Sequence, residues 1–274
     1  MIDQRVTCQG CGSDGLERLL DLGYQPLCNE FLPTDDAPGP QTFYPLCLCY
    51  CHKCALAQLD YVIPTEVAFG HLYTYLTGSS ESLVKYYSDL ANRLVEQFQL
   101  QPGDTVVEIG SNDGTFLKAF QSFGMDVLGI DGANRATDIA VADGVPVIQQ
   151  FFGKGSADAV RKRLQPGSKI GLILAMNVLA HTEQVNEFLD EAADLMGPDT
   201  ALVSQSHWLA ALTRNFEFDT IYHEHLRYYT LTSLMNLFGR HGLSVVDAEI
   251  VEFYGGSILT FASKSGRVLS EDMK

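Results

Sequence analysis

The sequence predicts an α/β protein with a Rossmann-like parallel sheet, helices on both faces of that sheet, and a small metal-binding module before it. Three observations support this. From Asp104 onward, apolar strand-like segments alternate with helical ones, which is the pattern of a parallel sheet. A buried strand at 105–109 leads into a turn with two glycines. Two Cys-x-x-Cys pairs lie within the first 54 residues.

Composition limits the classes of function. The 274 residues are 46% hydrophobic, which is ample for a core, and a formal net charge of −16 argues against nucleic-acid binding, because phosphates attract Lys and Arg. We find no run of about 18 apolar residues and no basic-then-apolar leader, so we expect a cytoplasmic protein with no membrane partner. Seven cysteines, all within the first 54 residues, favour metal binding in a reducing compartment over disulfides.

The two Cys-x-x-Cys pairs predict one structural zinc site. Each pair forms a turn that can point two thiolates at one ion, and four thiolates leave no position for water, so zinc would hold the fold without taking part in chemistry. The predicted ligands are Cys8, Cys11, Cys51 and Cys54. Three cysteines remain, and we interpret them as small core residues, with Cys49 close enough to compete as a ligand: Cys28, Cys47 and Cys49.

We expect the zinc module to cover 1–64, a helical connector or lid 65–98, the sheet domain 99–265 and a tail 266–274. In the connector, the run YTYLTGSSES precedes a helix at 82–98. Two interpretations of this run stay open. Its serines could only cap the helix, or the run could form a lid that contributes pocket residues. The residues concerned are Tyr73, Tyr75, Ser79, Ser80 and Ser82.

The strand and turn at 105–117, TVVEIGSNDGTFL, predict a cofactor loop. Gly110 would allow close approach of a ligand, and Asn112 or Asp113 could cap the helix that begins near Gly114. The carboxylates of Glu108 and Asp113 would repel a pyrophosphate, so a cofactor with an amino group and a sulfonium fits better. The full GxGxxG and the lysine of a phosphate-binding loop are both missing.

The following strands extend this prediction. We expect strands at 127–130, 145–148, 169–178, 201–208, 243–250 and 257–262, and helices at 116–123, 133–142 and 231–241. Ligands of such sheets lie beyond the carboxyl ends of the strands. Asp131, Asn177 and His181, with His181 at a helix start, should therefore meet Glu108 in one crevice.

The run FDTIYHEHLRYY at 218–229 is the most unusual in the chain. Tyr222, His223, Glu224 and His225 crowd ionisable groups together after a strand end. Three roles stay open: metal binding, structural capping, and acid/base chemistry. We favour acid/base chemistry, because histidine titrates near neutral pH and tyrosine can pass on a proton.

Taken together, these motifs and the late YGGS resemble the deoxysugar C-methyltransferases, which use S-adenosylmethionine (SAM) to methylate carbon 3 of dTDP-4-keto-sugars. The resemblance covers nearly the whole chain. It implies a class I methyltransferase sheet with an N-terminal four-cysteine zinc module. Members of the family continue into a further Rossmann-like domain, which we expect this chain to lack, and that weakens the inference of a nucleotide-sugar acceptor.

The resemblance also implies roles for individual residues. Around SAM, it places Glu108, Gly110, Asn112 and Asp113 at the methionine part, Asp131 with its neighbour Gly132 at the ribose, Phe151 or Phe152 at the adenine, and Asn177 and His181 at the methyl end. Around the acceptor, it implies His225 as base, Tyr222, His223 and Glu224 from the same run, and a wall from Tyr73 or Tyr75 with Ser79 and Ser80.

The chemistry that the resemblance implies fits these residue types. A keto group acidifies the neighbouring C–H bond, so a base with a pKa of about 7 can remove that proton to give an enolate. O- or N-methylation of another small molecule remains an alternative. A binding module that has kept the fold and lost turnover is another.

Overall fold

The computed structural model describes residues 3–4, 7–29, 41–68 and 74–264. The strands, in chain order, are β1 (Asp3–Gln4), β2 (Glu17–Gln25), β3 (Tyr44–Cys51), β4 (Leu56–Leu59), β5 (Tyr61–Val62), β6 (Thr105–Ile109), β7 (Asp126–Asp131), β8 (Val147–Gln149), β9 (Ile170–Met176), β10 (Ala201–His207), β11 (Arg227–Tyr228), β12 (Ser244–Val251) and β13 (Ser257–Ser263). The helices are α1 (Thr65–Ala68), α2 (Glu81–Gln97), α3 (Thr115–Gln121), α4 (Asn134–Ala142), α5 (Ser156–Arg163), α6 (Val185–Leu195), α7 (Leu209–Asn215) and α8 (Leu231–Gly239). Short 3₁₀ turns cover Thr77–Ser79, Phe218–Thr220 and Phe253–Gly255.

A seven-stranded sheet forms the centre of the molecule, in the order β12-β13-β10-β9-β6-β7-β8. The pairs from β10 to β8 are parallel, whereas β13 runs antiparallel to both β10 and β12. The predicted Rossmann-like sheet and its closing pair of strands are therefore confirmed. Because β6 and β9 are neighbours whose following segments continue in opposite directions along the sheet, a crevice opens beyond their carboxyl ends.

The core lies on both faces of this sheet. On one face, α2 buries Tyr87, Leu90, Ala91 and Leu94 against α3 and the central strands. On the other, α6 and α8 pack against the sheet and also against Cys8 and Leu56 of the zinc module. Each fully buried side chain of about the size of leucine stabilises the fold by about 1.5–3 kcal/mol relative to an exposed one. The module is therefore part of the same core as the sheet.

A second sheet, of four strands in the order β11-β4-β3-β2, belongs mainly to the N-terminal module. Its edge strand β11 comes from residues after 225, since Arg227 pairs with Gln58 and Tyr228 with Ala57. The N-terminal sheet is thus completed by a late segment of the chain. The domain boundary at residue 64 stays a prediction.

The elements that the sequence did not predict include β2, β4, β11, α5 and α7, and two of them show why. Strand β2 shows no alternation of buried and exposed residues, because almost every residue in it is exposed. Helix α5 is short and polar. Among the helices of the described ranges, none combines the length and the apolar character needed to cross a membrane.

Candidate active site

A cavity of about 650 Å³ opens at the carboxyl ends of the parallel strands. Its wall combines the turns after β6, β7 and β9, the segment after β8, the run before β11, and residues of the N-terminal module and connector. The cavity has two chemically distinct ends. We call the part lined by the turns after β6, β7 and β8 the cofactor end, and the part lined by His181, His207, Tyr222, Glu224 and His225 the acceptor end.

At the cofactor end, two turns are joined by a carboxylate. Asp131 ends β7, and its two oxygens accept the backbone N–H groups of Asn112 (2.8 Å) and Ala133 (2.7 Å). Burial raises the pKa of Asp131, and these two hydrogen bonds oppose that shift. Asp131 and Asn112 both line the cavity, so a fixed carboxylate faces any ligand there.

Gly110 allows two turns to pack closely at this end. Its φ is +70°, and a Cβ on it would lie 2.5 Å from Cγ2 of Val178. A side chain at this position would therefore be strained by the backbone and would collide with the turn after β9. The close packing of these two turns requires glycine, whereas close approach of a ligand, the role expected from the sequence, stays a prediction.

Glu108 and Asp113 are not part of the cavity lining, and their predicted contact with SAM stays a prediction. Glu108 is buried beneath the cavity, and its Oε2 has no hydrogen-bond partner among the described residues. Burial raises the pKa of Glu108, and Asp131 and Asp113 raise it further. Asp113 instead accepts the backbone N–H of Gly78 (2.7 Å) and the hydroxyl of Thr115 (2.6 Å), which fastens the connector to the start of α3.

Two phenylalanines line the cofactor end of the cavity. Phe151 lies over Gly132, where a Cβ would come within 2.5 Å of the ring. Phe152 packs edge-on against Phe188, with 4.9 Å between the ring centres. Gly132, Phe151 and Phe152 all line the cavity. A flat aromatic wall beside a fixed carboxylate suits a nucleoside.

The turn after β9 joins the two ends. Asn177 has φ +57°, its N–H donates to the carbonyl of Gln205 (2.8 Å), and its buried Oδ1 has no partner within the described part of the chain. The prediction that His181 begins a helix was wrong: it lies in the turn, and α6 begins at Val185. Burial, followed by the nearby His207, lowers the pKa of His181 to about 3.

His225 lies at the centre of the acceptor end, and its tautomer follows from its two partners. Nδ1–H donates to the carbonyl of Thr220 (2.9 Å), so Nε2 carries the lone pair and accepts the hydroxyl of Tyr222 (2.9 Å). The pKa of His225 is well below its ordinary value because of burial first, then His181 and His207. The imidazole is therefore neutral at pH 7, with a lower pKa than the value near 7 that we expected of a base.

The other residues of the run 222–225 do not all face the cavity. Tyr222 and Glu224 line the cavity with His225. Glu224 accepts the amide of Asn29 (2.6 Å) and the thiol of Cys28 (3.5 Å), and burial raises its pKa. His223 does not line the cavity; it donates to the carbonyl of Pro45 (3.1 Å) and its ring meets Tyr44 edge-on.

Of the predicted connector residues that the structure describes, Tyr75 is the one that lines the cavity. Its hydroxyl shares a hydrogen bond of 2.9 Å with the hydroxyl of Tyr254. Ser79 donates to the carbonyl of Leu76 (2.6 Å), and Ser80 caps α2 by accepting the N–H of Leu83 (3.4 Å), so neither is in the lining. Tyr73 lies outside the described residues.

Sequence reasoning missed two residues of the acceptor end. His207 ends β10, and its ring centre lies 4.4 Å from that of His225. Tyr254 comes from the turn before β13, with φ +55°. The position of His207 at the carboxyl end of a parallel strand was the available signal. The signal for Tyr254 was the late YGGS motif, of which it is the first residue, although only the tertiary fold brings it to Tyr75.

The four predicted zinc ligands come together. Their sulfurs lie within 4.8 Å of one another, with 3.5 Å between Cys8 and Cys54 and 3.6 Å between Cys11 and Cys51. Two sulfurs on one tetrahedral zinc would be about 3.8 Å apart, so the cluster fits the ion. In the described ranges, His223 and His225 belong to no group of three metal-binding donors, which leaves the metal interpretation of that run without support.

The donors at the cofactor end fit SAM. The carboxylate oxygen of Glu108 that has no partner among the described residues and the carboxylate of Asp131 favour a cation, and Gly110 and Gly132 line the same cavity. Sheet order and cavity together define the class I methyltransferase architecture. The chain belongs to the family described as "Methyltransferase domain", whose profile matches residues 81–248. Residues 8–69 match a second family, described as "Putative zinc binding domain".

Similar proteins agree with this assignment. The C-methyltransferase NovU of Streptomyces niveus is 34% identical over 256 residues, which are 93% of this chain and 60% of that protein. The chain thus spans about 60% of the length of this relative. A ubiquinone biosynthesis O-methyltransferase of Rhodopseudomonas palustris is 29% identical over 115 residues, 42% of each chain.

Two solved structures are similar in fold. Magnesium protoporphyrin IX methyltransferase from Synechocystis PCC 6803 has a TM-score of 0.50 and 18% identity, covering 66% of this chain and 83% of the other. A protein from Pyrococcus horikoshii has a TM-score of 0.52 and 15% identity, covering 69% and 94%. At these identities the likeness concerns the fold alone.

Proposed function

We propose that this chain is a SAM-dependent C-methyltransferase that acts next to the carbonyl of a deoxysugar nucleotide or a related small molecule. The observation that carries the proposal is the position of His225. This neutral imidazole, with its lone pair at Nε2, lies in the same cavity as Asp131 and Asn177. The name of NovU, a C-methyltransferase, supports carbon as the methylated atom.

The cofactor end would hold SAM through side chains already fixed in place. Asp131 would accept the ribose hydroxyls, Phe151 or Phe152 would cover the adenine, and Asn177 would face the methyl-donor end. Glu108 lies beneath this end, where its carboxylate favours a cation. When bound, SAM supplies an electrophilic methyl group on a sulfonium, which a carbanion can take by in-line displacement.

His225 would take the proton from the acceptor carbon. The carbonyl of Thr220 holds its Nδ1–H, so Nε2 is the atom that accepts the proton. The lowered pKa keeps Nε2 unprotonated at neutral pH, and it also makes imidazolium costly until a negative charge forms nearby. An enolate beside His225 provides that charge, so proton transfer and enolate formation support each other.

Tyr222 would act as a hydrogen-bond donor. Burial raises its pKa above the ordinary value, so the phenol stays protonated at neutral pH. It donates to His225 in the free protein, and an enolate oxygen in the cavity is a stronger acceptor. Such a donor stabilises the charge that develops on the acceptor oxygen.

The decisive experiment combines the full chain with SAM carrying a ¹³C-labelled methyl group and a set of nucleotide-linked 4-keto-deoxysugars. We expect NMR of the product to place the label on the carbon next to the carbonyl. In D₂O, with S-adenosylhomocysteine in place of SAM, we expect the same C–H to exchange with solvent, because deprotonation needs only the acceptor end.

Two outcomes would contradict the proposal. A label on oxygen or nitrogen, without exchange of the C–H, would indicate an O- or N-methyltransferase, in line with the more distant O-methyltransferase relatives. No heat of binding with millimolar SAM in calorimetry would indicate a binding module that has lost turnover. The exchange experiment separates chemistry at the acceptor from loss of cofactor binding.

A further inference from the structure

Strand β3 carries two cysteines that the zinc cluster does not use. Cys47, Cys49 and Cys51 alternate along the strand and share one face of it. Cys51 belongs to the four-cysteine cluster, whereas Cys47 and Cys49 form a separate group with Asp60. Cys49 therefore does not compete for the first zinc ion, which resolves the alternative left open by the sequence.

The three side chains of this second group are close together and out of solvent. The sulfurs of Cys47 and Cys49 are 4.0 Å apart, and a carboxylate oxygen of Asp60 lies within 4.8 Å of both. The exposed fractions are 4%, 2% and 5%. Donors of a tetrahedral zinc ion with thiolate ligands are about 3.8 Å apart, so small side-chain movements would close the group around an ion.

Asp60 supplies an independent indication of a ligand. Its backbone N–H donates to the carbonyl of Cys47 (3.2 Å), which holds the residue over the thiols, and its Oδ2 accepts from Arg18 (3.3 Å). Its Oδ1 is buried and has no hydrogen-bond partner among the residues that the structure describes. A buried carboxylate oxygen without a partner is costly, and a bound cation would remove that cost.

We propose that Cys47, Cys49 and Asp60 form a second zinc site. The charges favour a divalent ion: two thiolates and one carboxylate carry three negative charges, Arg18 offsets one of them, and a divalent ion offsets the other two. Thiolate ligands select a thiophilic metal such as Zn²⁺ over Mg²⁺ or Ca²⁺. With three protein ligands the site keeps a fourth position for water, unlike the closed four-cysteine cluster.

The site would stabilise the centre of the N-terminal sheet, whose two inner strands are β3 and β4. Cys47 and Cys49 lie opposite Asp21 and Arg18 of β2. Asp60 follows β4, so an ion bound to all three side chains would link β3 to the turn between β4 and β5. The four-cysteine cluster connects the last residue of β3, Cys51, to residues 8–11. The two ions would then bind adjacent parts of one strand, its middle and its end.

Metal content of the purified full chain tests the proposal. By inductively coupled plasma mass spectrometry we expect about two zinc ions per chain, and about one in the Cys47→Ser/Cys49→Ser double variant. Asp60→Asn keeps the size of the side chain and both thiols, and we expect its zinc content to fall to about one as well. Cys28→Ser, which changes a thiol outside both groups, should keep about two.

Cobalt substitution gives a second readout. Six thiolates would bind cobalt in the native chain and four in the double variant, so the sulfur-to-cobalt charge-transfer absorption should fall by about one third. About one zinc ion in the native chain and in every folded variant would overturn the proposal. A second ion that persists in the double variant would also overturn it, because that ion would lie elsewhere. If the double variant does not fold, Asp60→Asn decides.

Discussion

The two ends of the cavity are built in different ways. At the cofactor end, Asp131 binds backbone N–H groups of two turns that each follow a neighbouring strand, so the sheet itself fixes the geometry. At the acceptor end, the contacts run between side chains of segments far apart in the chain, as between Tyr75 and Tyr254 or Asn29 and Glu224. The geometry of the cofactor end is fixed by neighbouring strands of the sheet, whereas the geometry of the acceptor end depends on the complete fold.

The pKa shifts of the acceptor-end histidines are opposite in sign to those of the cofactor-end carboxylates, whereas Glu224 at the acceptor end shifts upward like the carboxylates. Burial raises the pKa of Glu108 and Asp131 at the cofactor end, and it lowers the pKa of His181, His207 and His225 at the acceptor end. A cation would relieve the first group, and an anion would relieve the second. Under the proposed function, the first group would face a sulfonium and the histidines would face an enolate.

Replacing His225 by alanine should separate the two ends most clearly. We expect kcat to fall by about a thousandfold, because a general base contributes about 10²–10⁴ to rate. SAM affinity should stay within about twofold, since the fixed carboxylate of Asp131 is untouched. Single-turnover kinetics and calorimetry with SAM measure the two quantities.

His223→Ala is the matched control for this variant. His223 is two residues away and similarly buried, but it binds Pro45 outside the cavity. We expect it to lower stability and to leave kcat of the folded protein near normal. Equal losses of kcat in both variants would mean that the whole run is structural and that His225 is not the base.

Replacing Asp131 by asparagine should weaken SAM binding at the cofactor end. The charged acceptor disappears while the size is kept, and a hydrogen bond to a charged group contributes about 1.5–3 kcal/mol, so SAM should bind about 10–100-fold more weakly. Asp126→Asn, at the opposite end of the same strand and exposed, should leave affinity unchanged. If SAM binding does not weaken, the cofactor end has been assigned to the wrong part of the cavity.

The sequence predictions succeeded at positions with a local signal and were less successful at positions set by the complete fold. The strands that lead to Asp131 and Asn177 were predicted because each is an apolar run with a polar end, a local signal. The four zinc ligands were predicted for a similar reason, since each Cys-x-x-Cys pair is local. His207 and Tyr254 were missed, and His181 was placed on a helix instead of in a turn. His207 had the same local signal, since it ends an apolar strand, and it was overlooked. The position of Tyr254 beside Tyr75 depends on the tertiary fold, and the turn at His181 follows the left-handed backbone of Asn177, which periodicity does not reveal.

The buried histidines should make stability depend on pH. His181 has a folded pKa of about 3, below the unfolded value of about 6.5, so only the unfolded state binds its proton between these values. Stability from this residue is present above pH 6.5 and is lost as pH falls, by about 1.4 kcal/mol per pH unit. Glu108, whose pKa is raised, acts in the opposite direction, since its contribution is lost as pH rises.

Urea unfolding of the native chain and of His181→Gln between about pH 7.5 and 5.5 isolates this residue. Effects of the carboxylates and of the zinc ligands are common to both proteins and cancel in the difference. We expect the native chain to lose about 1.4 kcal/mol more than the variant for each unit below pH 6.5. If the unfolding free energies of the two proteins changed in parallel with pH, the pKa of His181 would not be lowered by folding. The acceptor end would then be less buried than the cofactor end.

The smallest expected effect concerns the hydroxyl pair that closes the acceptor end. Tyr254→Phe keeps the ring and removes one partner of Tyr75, a hydrogen bond that contributes about 0.5–1.5 kcal/mol. We expect KM for the acceptor to rise by about 2–10-fold with SAM affinity unchanged, because the pair belongs to the side-chain end of the cavity. Tyr50→Phe, on β3 and outside the cavity lining, is the control. A rise in the dissociation constant of SAM instead would show that the connector closes over the cofactor, and that the two ends are coupled through Tyr75.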